Sequence, residues 1–309
     1  MVFGHCYSSE NPVLVVIYAF HMPLFFIVSG MLYADKWQEK VILNIQKICI
    51  RLLVPYVFYE TLFTLFIAIL QRSQNLFGNI WDRWISAVLP LIGVTVTWFL
   101  PCQLFVVIFS ALIMKVTHIR KYKTGAIIFL FIFAIGLFIP VYNRYLIVLW
   151  RVFIGMGFFA VGYYGKSLFS KKANVIITIV SLGIFVFLAY WNGMVSLVDM
   201  RFSDPILYVI NGILGSYVLY QVCLLMKTNR IADLFNYLGK NTAVILCTHM
   251  FVVEIIRLLD YKLFNNILSR LGIYEGFVFG MLVLAIMCAV IPICNKYFWW
   301  LFGYSRSSK

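Results

Sequence analysis

The sequence predicts an all-α bundle of about ten transmembrane spans, the first of them incomplete. Three observations carry that expectation. Hydrophobic residues make up 63% of the 309-residue chain and the mean hydropathy is +0.96, whereas a soluble domain is roughly half apolar. Apolar runs near the roughly 20 residues that a span needs follow one another, with short polar joints between them. The Lys and Arg behind the net charge of +14 are gathered into some of those joints. That distribution is the one the positive-inside rule produces, and it removes nucleic acid as the expected partner of a basic chain. No stretch is long or polar enough for a separate soluble domain, so residues 1–309 form one integral-membrane domain.

Residues 1–7, MVFGHCY, look like the end of a first helix, too short to cross a bilayer alone. Ser8 to Pro12 makes a turn. The second span runs from about Val13 to Tyr33, and a charged stretch follows to Lys47. The third span covers about Ile48 to Leu70 with Pro55 inside it. Gln71 to Trp84 is a polar joint whose two tryptophans suit a membrane interface. The fourth span is expected from about Leu91 to Met114, the fifth from Thr124 to Pro140 and the sixth from Tyr145 to Tyr164. The seventh, about Ala173 to Asn192, leads into a loop bearing Asp199, Arg201 and Asp204. The eighth runs from about Pro205 to Met226, the ninth from Thr242 to Leu258 and the tenth from Gly276 to Phe298. The tail places aromatic residues at the interface and basic residues beyond it.

Alternation along these spans puts the five basic clusters, at 36–51, 115–123, 166–172, 227–240 and 296–309, on one side. That side is the cytoplasm by the positive-inside rule, with both chain ends on it, as in a multi-pass protein of the inner or plasma membrane. The seven cysteines form no CxxC pair, and neither a disulfide framework nor a metal site is expected. The absence of an internal repeat weighs against an inverted-repeat transporter.

Ionisable residues inside apolar spans are costly and mark function by default, although structural pairing also occurs. His21 lies roughly 12 Å along the second span, Glu60 about 18 Å along the third and Arg151 about 9 Å along the sixth. His249 and Glu254 lie about 10 Å and 18 Å along the ninth. His5 sits near the outer turn, above His21. A histidine beside a carboxylate, with an arginine to neutralise charge, suits activation of a hydroxyl and handling of an oxyanion. His118 belongs to a basic loop and is expected in water. The competing expectation is that these groups pair to hold the bundle, or that His21, Glu60 and Glu254 relay protons in a transporter of glycans or small acids.

FHMPLFFIVSG at 20–30 resembles the second-helix signature of the integral-membrane acyltransferases of acyltransferase family 3. Within that family it looks most like the fucose 4-O-acetylase-like group. Gly4-His5 resembles the end of the first-helix motif, RLLVPY at 51–56 the start of the third helix, and WFLP at 98–101 a WFL element containing Trp98. Arg151 with FFAVGYY at 158–164 resembles the arginine, FF, glycine pattern, and LGKNTAVILCTH at 238–249 the segment that ends on His249. The matches run through nearly the whole chain in order. Two departures stand out. The family's first-helix arginine would precede Met1, so the N-terminus is expected to be truncated. Of the paired basic motif, Arg51 matches, Ile48 stands where a second basic residue is usual, and Lys47 is one place off.

The resemblance implies transfer of an acyl group, usually acetyl from acetyl-CoA, to a hydroxyl of a cell-surface or secreted glycan or a lipid-linked sugar. Acyl-CoA is then a co-substrate and no bound cofactor is expected. His5 is implied as the base, with His21 second. Glu60 or Glu254 would orient an imidazole and Arg151 would stabilise the oxyanion, while Lys47 and Arg51 would hold the donor phosphates. Direct attack and an acyl-histidine intermediate both remain open.

Overall fold

The computed structural model describes residues 1–8, 11–33, 40–71, 78, 80–81, 96–116, 122–143, 146–171, 174–226, 229–263 and 265–302. Most of the polar joint at 71–84, the start of the fourth span at 91–95, His118 and the basic tail from 303 lie outside them.

Eleven helices are named here in chain order: α1 Val2–Cys6, α2 Val13–Leu32, α3 Val41–Gln71, α4 Phe99–Val116, α5 Tyr122–Phe138, α6 Ile147–Phe169, α7 Val175–Asn192, α8 Pro205–Leu225, α9 Arg230–Lys240, α10 Thr242–Leu263 and α11 Glu275–Tyr297. Among the described residues eight helices are long and apolar enough to cross a membrane. The shorter apolar α5 and the five-residue α1 stand where the fifth and first spans were expected. The only extended pairing among the described residues is an isolated bridge between Ser196 and Arg201, which closes the loop between α7 and α8. The fold is an all-α polytopic bundle.

Three helices extend well beyond their expected limits, among them α10, which runs to Leu263 rather than Leu258. α3 begins at Val41 rather than near Ile48, so Lys47 and Arg51 stand on helix, one turn apart. The charged residues before Ile48 conceal that continuation, because a snorkelling Lys does not end a helix. α6 continues to Phe169 through GKSLF, which reads as loop from its Gly and Lys. α9 is a helix with an amphipathic pattern where the sequence offered only a basic joint. Ile231, Leu234 and Phe235 recur at helical spacing and are all exposed, and the Asn229 side chain accepts the Ala232 N–H at 2.9 Å. Its mixed charge hides it from a search for continuous apolar runs.

α2 is the hub of the bundle, packed against α6, α7 and α8. Its contact with α6 depends on two glycines. A Cβ at Gly30 would lie 2.0 Å from the Phe159 carbonyl oxygen, and one at Gly162 would lie 1.9 Å from that of Ile27. Without side chains there, the two backbones touch over one turn, the close approach that small residues give membrane helices. α1 lies against α10 and α11, with Phe3 and Tyr7 resting over Gly280 and Gly276. Arg257 of α10 donates to the His5 carbonyl at 3.0 Å and fixes the end of α1. Asp204 caps α8 by accepting the Ile206 N–H at 2.7 Å, which anchors one end of the loop at 193–204.

Candidate active site

One face of α2 runs through two cavities. Tyr18, His21, Met22 and Phe25 line the first, and Phe25, Val28, Ser29, Leu32 and Tyr33 line the second. Steps of three and four residues keep a single helical face in view, so the same side of α2 serves both. From His21 to Leu32 that face spans about 16 Å.

The first cavity holds about 120 Å³. His5 closes it from α1, Trp98 from the turn before α4, Phe99 from the start of α4, and Ser196 to Val198 from the loop before α8. His5 and His21 are half-buried. The Nδ1 of His21 lies 2.9 Å from the Ile17 carbonyl. A carbonyl only accepts, so Nδ1 carries the proton and Nε2 keeps a lone pair. Tyr18 meets the His21 ring edge-on at 4.9 Å between centroids, and its hydroxyl donates to the Gly4 carbonyl at 3.2 Å. α1 and α2 are thereby tied together beside the two imidazoles.

His249 is fully buried, and its ring lies 5.4 Å from that of His5. Its Nδ1 is 2.8 Å from the Ile245 carbonyl, which again makes Nδ1 the donor. Its Nε2 is buried with no hydrogen-bond partner among the described residues.

Arg151 is buried behind the wall of this cavity. Nε donates to the Val198 carbonyl at 2.9 Å and Nη2 donates to the same oxygen, while the guanidinium lies 5.3 Å from the Trp98 ring centre. Nη1 has no hydrogen-bond partner among the described residues. One buried cation therefore holds two pieces of the wall, the 193–204 loop and the Trp98 segment. Glu60 supports that segment from the other side, because the Thr97 hydroxyl donates to its carboxylate. Glu254 pairs with Arg257 at 3.5 Å on the half-exposed side of α10. Neither carboxylate lines the cavity.

The second cavity holds about 510 Å³. Asn44, Lys47 and Arg51 of α3 line one side, and Phe99, Gln103 and Val107 of α4 the other. Both cations are exposed. Gln103 is buried; its Nε2 donates to Ser29 Oγ at 2.6 Å and its Oε1 has no hydrogen-bond partner among the described residues. Among the described residues no three His, Cys, Asp or Glu side chains converge as metal ligands.

The structure thus brings His5, His21, Trp98 and His249 together, with Arg151 directly behind them. It sets Lys47 and Arg51 at the far end of the same α2 face. Tyr18, Phe25, Phe99 and Gln103 also line these cavities, and sequence inspection did not single them out. Tyr18 and Phe25 stand three residues before and four after His21, so a helical-wheel reading around that histidine finds them. Gln103, one turn beyond Phe99 in an apolar span, was a second available signal.

Comparison with known proteins identifies the family. The family model described as an acyltransferase domain, that of acyltransferase family 3, matches residues 1–296. No curated protein and no solved structure matches the chain. The chain belongs to acyltransferase family 3.

Proposed function

We propose that this member of acyltransferase family 3 moves an acyl group, acetyl in the simplest case, from acyl-CoA to a hydroxyl of a cell-surface or secreted glycan or its lipid-linked precursor. The observation that carries the proposal is the single face of α2 with imidazoles at one end and two cations at the other. The cationic end faces the cytoplasm of the inner or plasma membrane, as the basic clusters imply. CoA is a cytoplasmic polyanion, and Lys47 and Arg51 at the mouth of the wide cavity suit its phosphates. Gln103 Oε1, a buried acceptor without a donor, suits an N–H of the pantetheine arm.

At the other end His5 acts as general base. An imidazole nitrogen takes the acceptor hydroxyl proton as the oxygen bonds to the thioester carbon. The carbonyl electron pair moves onto its oxygen, and the Arg151 charge behind the Val198–Trp98 wall stabilises it. Collapse of the intermediate breaks the carbon–sulfur bond, and the leaving thiolate takes the proton from the imidazolium. His249 packs against the base and fixes its ring. His21, with its Nε2 lone pair, faces the acceptor.

The test is transfer of labelled acetyl from acetyl-CoA to a glycan acceptor by membranes that contain the protein, together with mass spectrometry of the surface glycan with and without the gene. Loss of one acetyl on deletion is expected, and an unchanged glycan with no transfer sinks the proposal. Two cavities at opposite ends of one helix also suit a proton-coupled carrier of glycans or small acids. Uptake into vesicles that does not depend on CoA selects the carrier instead.

A further inference from the structure

We infer that Phe25 and Phe99 form the partition between the two cavities and select the acyl group by size. This rests on the acyl-CoA reading above and adds the element that decides which donors are used. Both residues line both cavities. Their rings come from facing helices, α2 and α4, with centroids 5.2 Å apart and planes tilted by 48°. The α2 face leads from the Lys47–Arg51 cavity to the histidines past these rings.

The two rings are not equally free. Phe99 is only 9% exposed and lies between Phe26, at 5.4 Å, and Trp98, at 6.3 Å. Phe25 is half-buried and has a cavity on each flank. Phe99 is therefore the fixed jamb and Phe25 the ring with room to turn. A chain end as narrow as acetyl passes with a small rotation of Phe25. A longer or branched acyl group keeps the rings apart over its whole length, and the space it enters is small. The histidine cavity, at about 120 Å³, has room for about four water-sized groups at roughly 30 Å³ each. That must hold both the acyl group and the hydroxyl end of the acceptor. When closed, the apolar rings also deny water a path between the two ends and so protect the thioester from hydrolysis. No bond is made or broken at the partition; it acts only on what reaches His5.

The experiment is a competition. Membranes containing the protein receive equal acetyl-, butyryl- and hexanoyl-CoA with a glycan acceptor, and the products are resolved by mass. The ratio of products comes from one preparation, so a change in the amount of folded protein cancels. Wild type should give chiefly the acetyl product. One methylene in a confined apolar site is worth roughly tenfold or more, so Phe25→Ala should raise the butyryl-to-acetyl ratio by at least about that factor. Phe25→Leu should raise it less, and carries the test should the alanine variant not fold. Phe25→Trp should depress acetyl transfer while retention of labelled CoA stays as in wild type. Unchanged ratios in the Ala and Leu variants, with acetyl transfer intact, overturn the partition and leave the transferase reading standing. Loss of acetyl transfer from both folded variants, without faster hydrolysis of acetyl-CoA, also overturns it, because a wider passage still admits the smallest group. Wild-type protein that uses none of the three donors refutes the transferase reading itself, and the partition with it.

Discussion

The two cavities along α2 are built on different physical terms. At the His5 end about 120 Å³ is enclosed by residues from α1, α2, α4, α10 and the 193–204 loop. The side chains there are held: His21 by its own helix, His5 by Arg257 on its backbone and His249 against its ring. At the Lys47 end about 510 Å³ lies between α2, α3 and α4, and its two cations are exposed on flexible stems. Under the proposed function the contrast separates two tasks. General-base chemistry needs a nitrogen within hydrogen-bond reach of one proton, which demands fixed rings. Holding a polyanion needs charge more than position, and mobile cations supply it. A single helix face joins the two, so whatever disturbs α2 disturbs both.

The sharpest way to break this comparison is at His5. His5→Ala should lower acyl transfer by roughly 10²- to 10⁴-fold, the usual worth of a general base, while labelled CoA is retained by the membranes as before. Equal loss of CoA retention would show that the two ends are not separate. Next in size is Gly30→Leu. Overpacking commonly costs about 1–3 kcal/mol, and here the obstacle is the Phe159 backbone, which cannot rotate away. The expected result is a lower melting temperature in detergent, with transfer and CoA retention falling together because α2 lines both cavities. A variant of wild-type stability would remove α2 from its role as hub. The smallest expected effect is at the open end. Arg51→Ala should raise the KM for acyl-CoA by about tenfold with kcat nearly unchanged, the pattern of lost uniform binding. Added salt should produce the same rise in the wild type, since exposed charges are screened. An unchanged KM would take Arg51 out of the donor site.

Much of the fold was legible because membrane spans announce themselves locally. A run such as Val13 to Tyr33 needs no partner to be recognised, since lipid imposes the helix on it. The ends were less legible, and α3 and α6 ran through charged or glycine-bearing turns that looked like loop. α9 was missed because an amphipathic helix is apolar on one face only. At the site, the histidines and Arg151 stood out as costly groups in apolar runs. Phe25 and Phe99 did not, because a chain with 29 phenylalanines gives no local reason to single out two. The pairing of imidazoles with carboxylates expected from residue type gave way to different company, with Glu254 on Arg257 and His249 beside His5.

By itself the sequence determined that this chain is a helical membrane bundle, and through its ordered motifs the family to which it belongs. Those properties depend on transfer of side chains into lipid and on short local patterns, which neighbours in sequence are enough to specify. The tertiary structure alone decided that His5 and His249, 244 positions apart, share one place. It also decided that Arg151 grips the Val198 carbonyl, and that one stripe of α2 joins two unlike cavities past Phe25 and Phe99. Such contacts depend on how closely helices approach. Here a pair of glycines facing backbone carbonyls sets that distance, which no single span encodes alone.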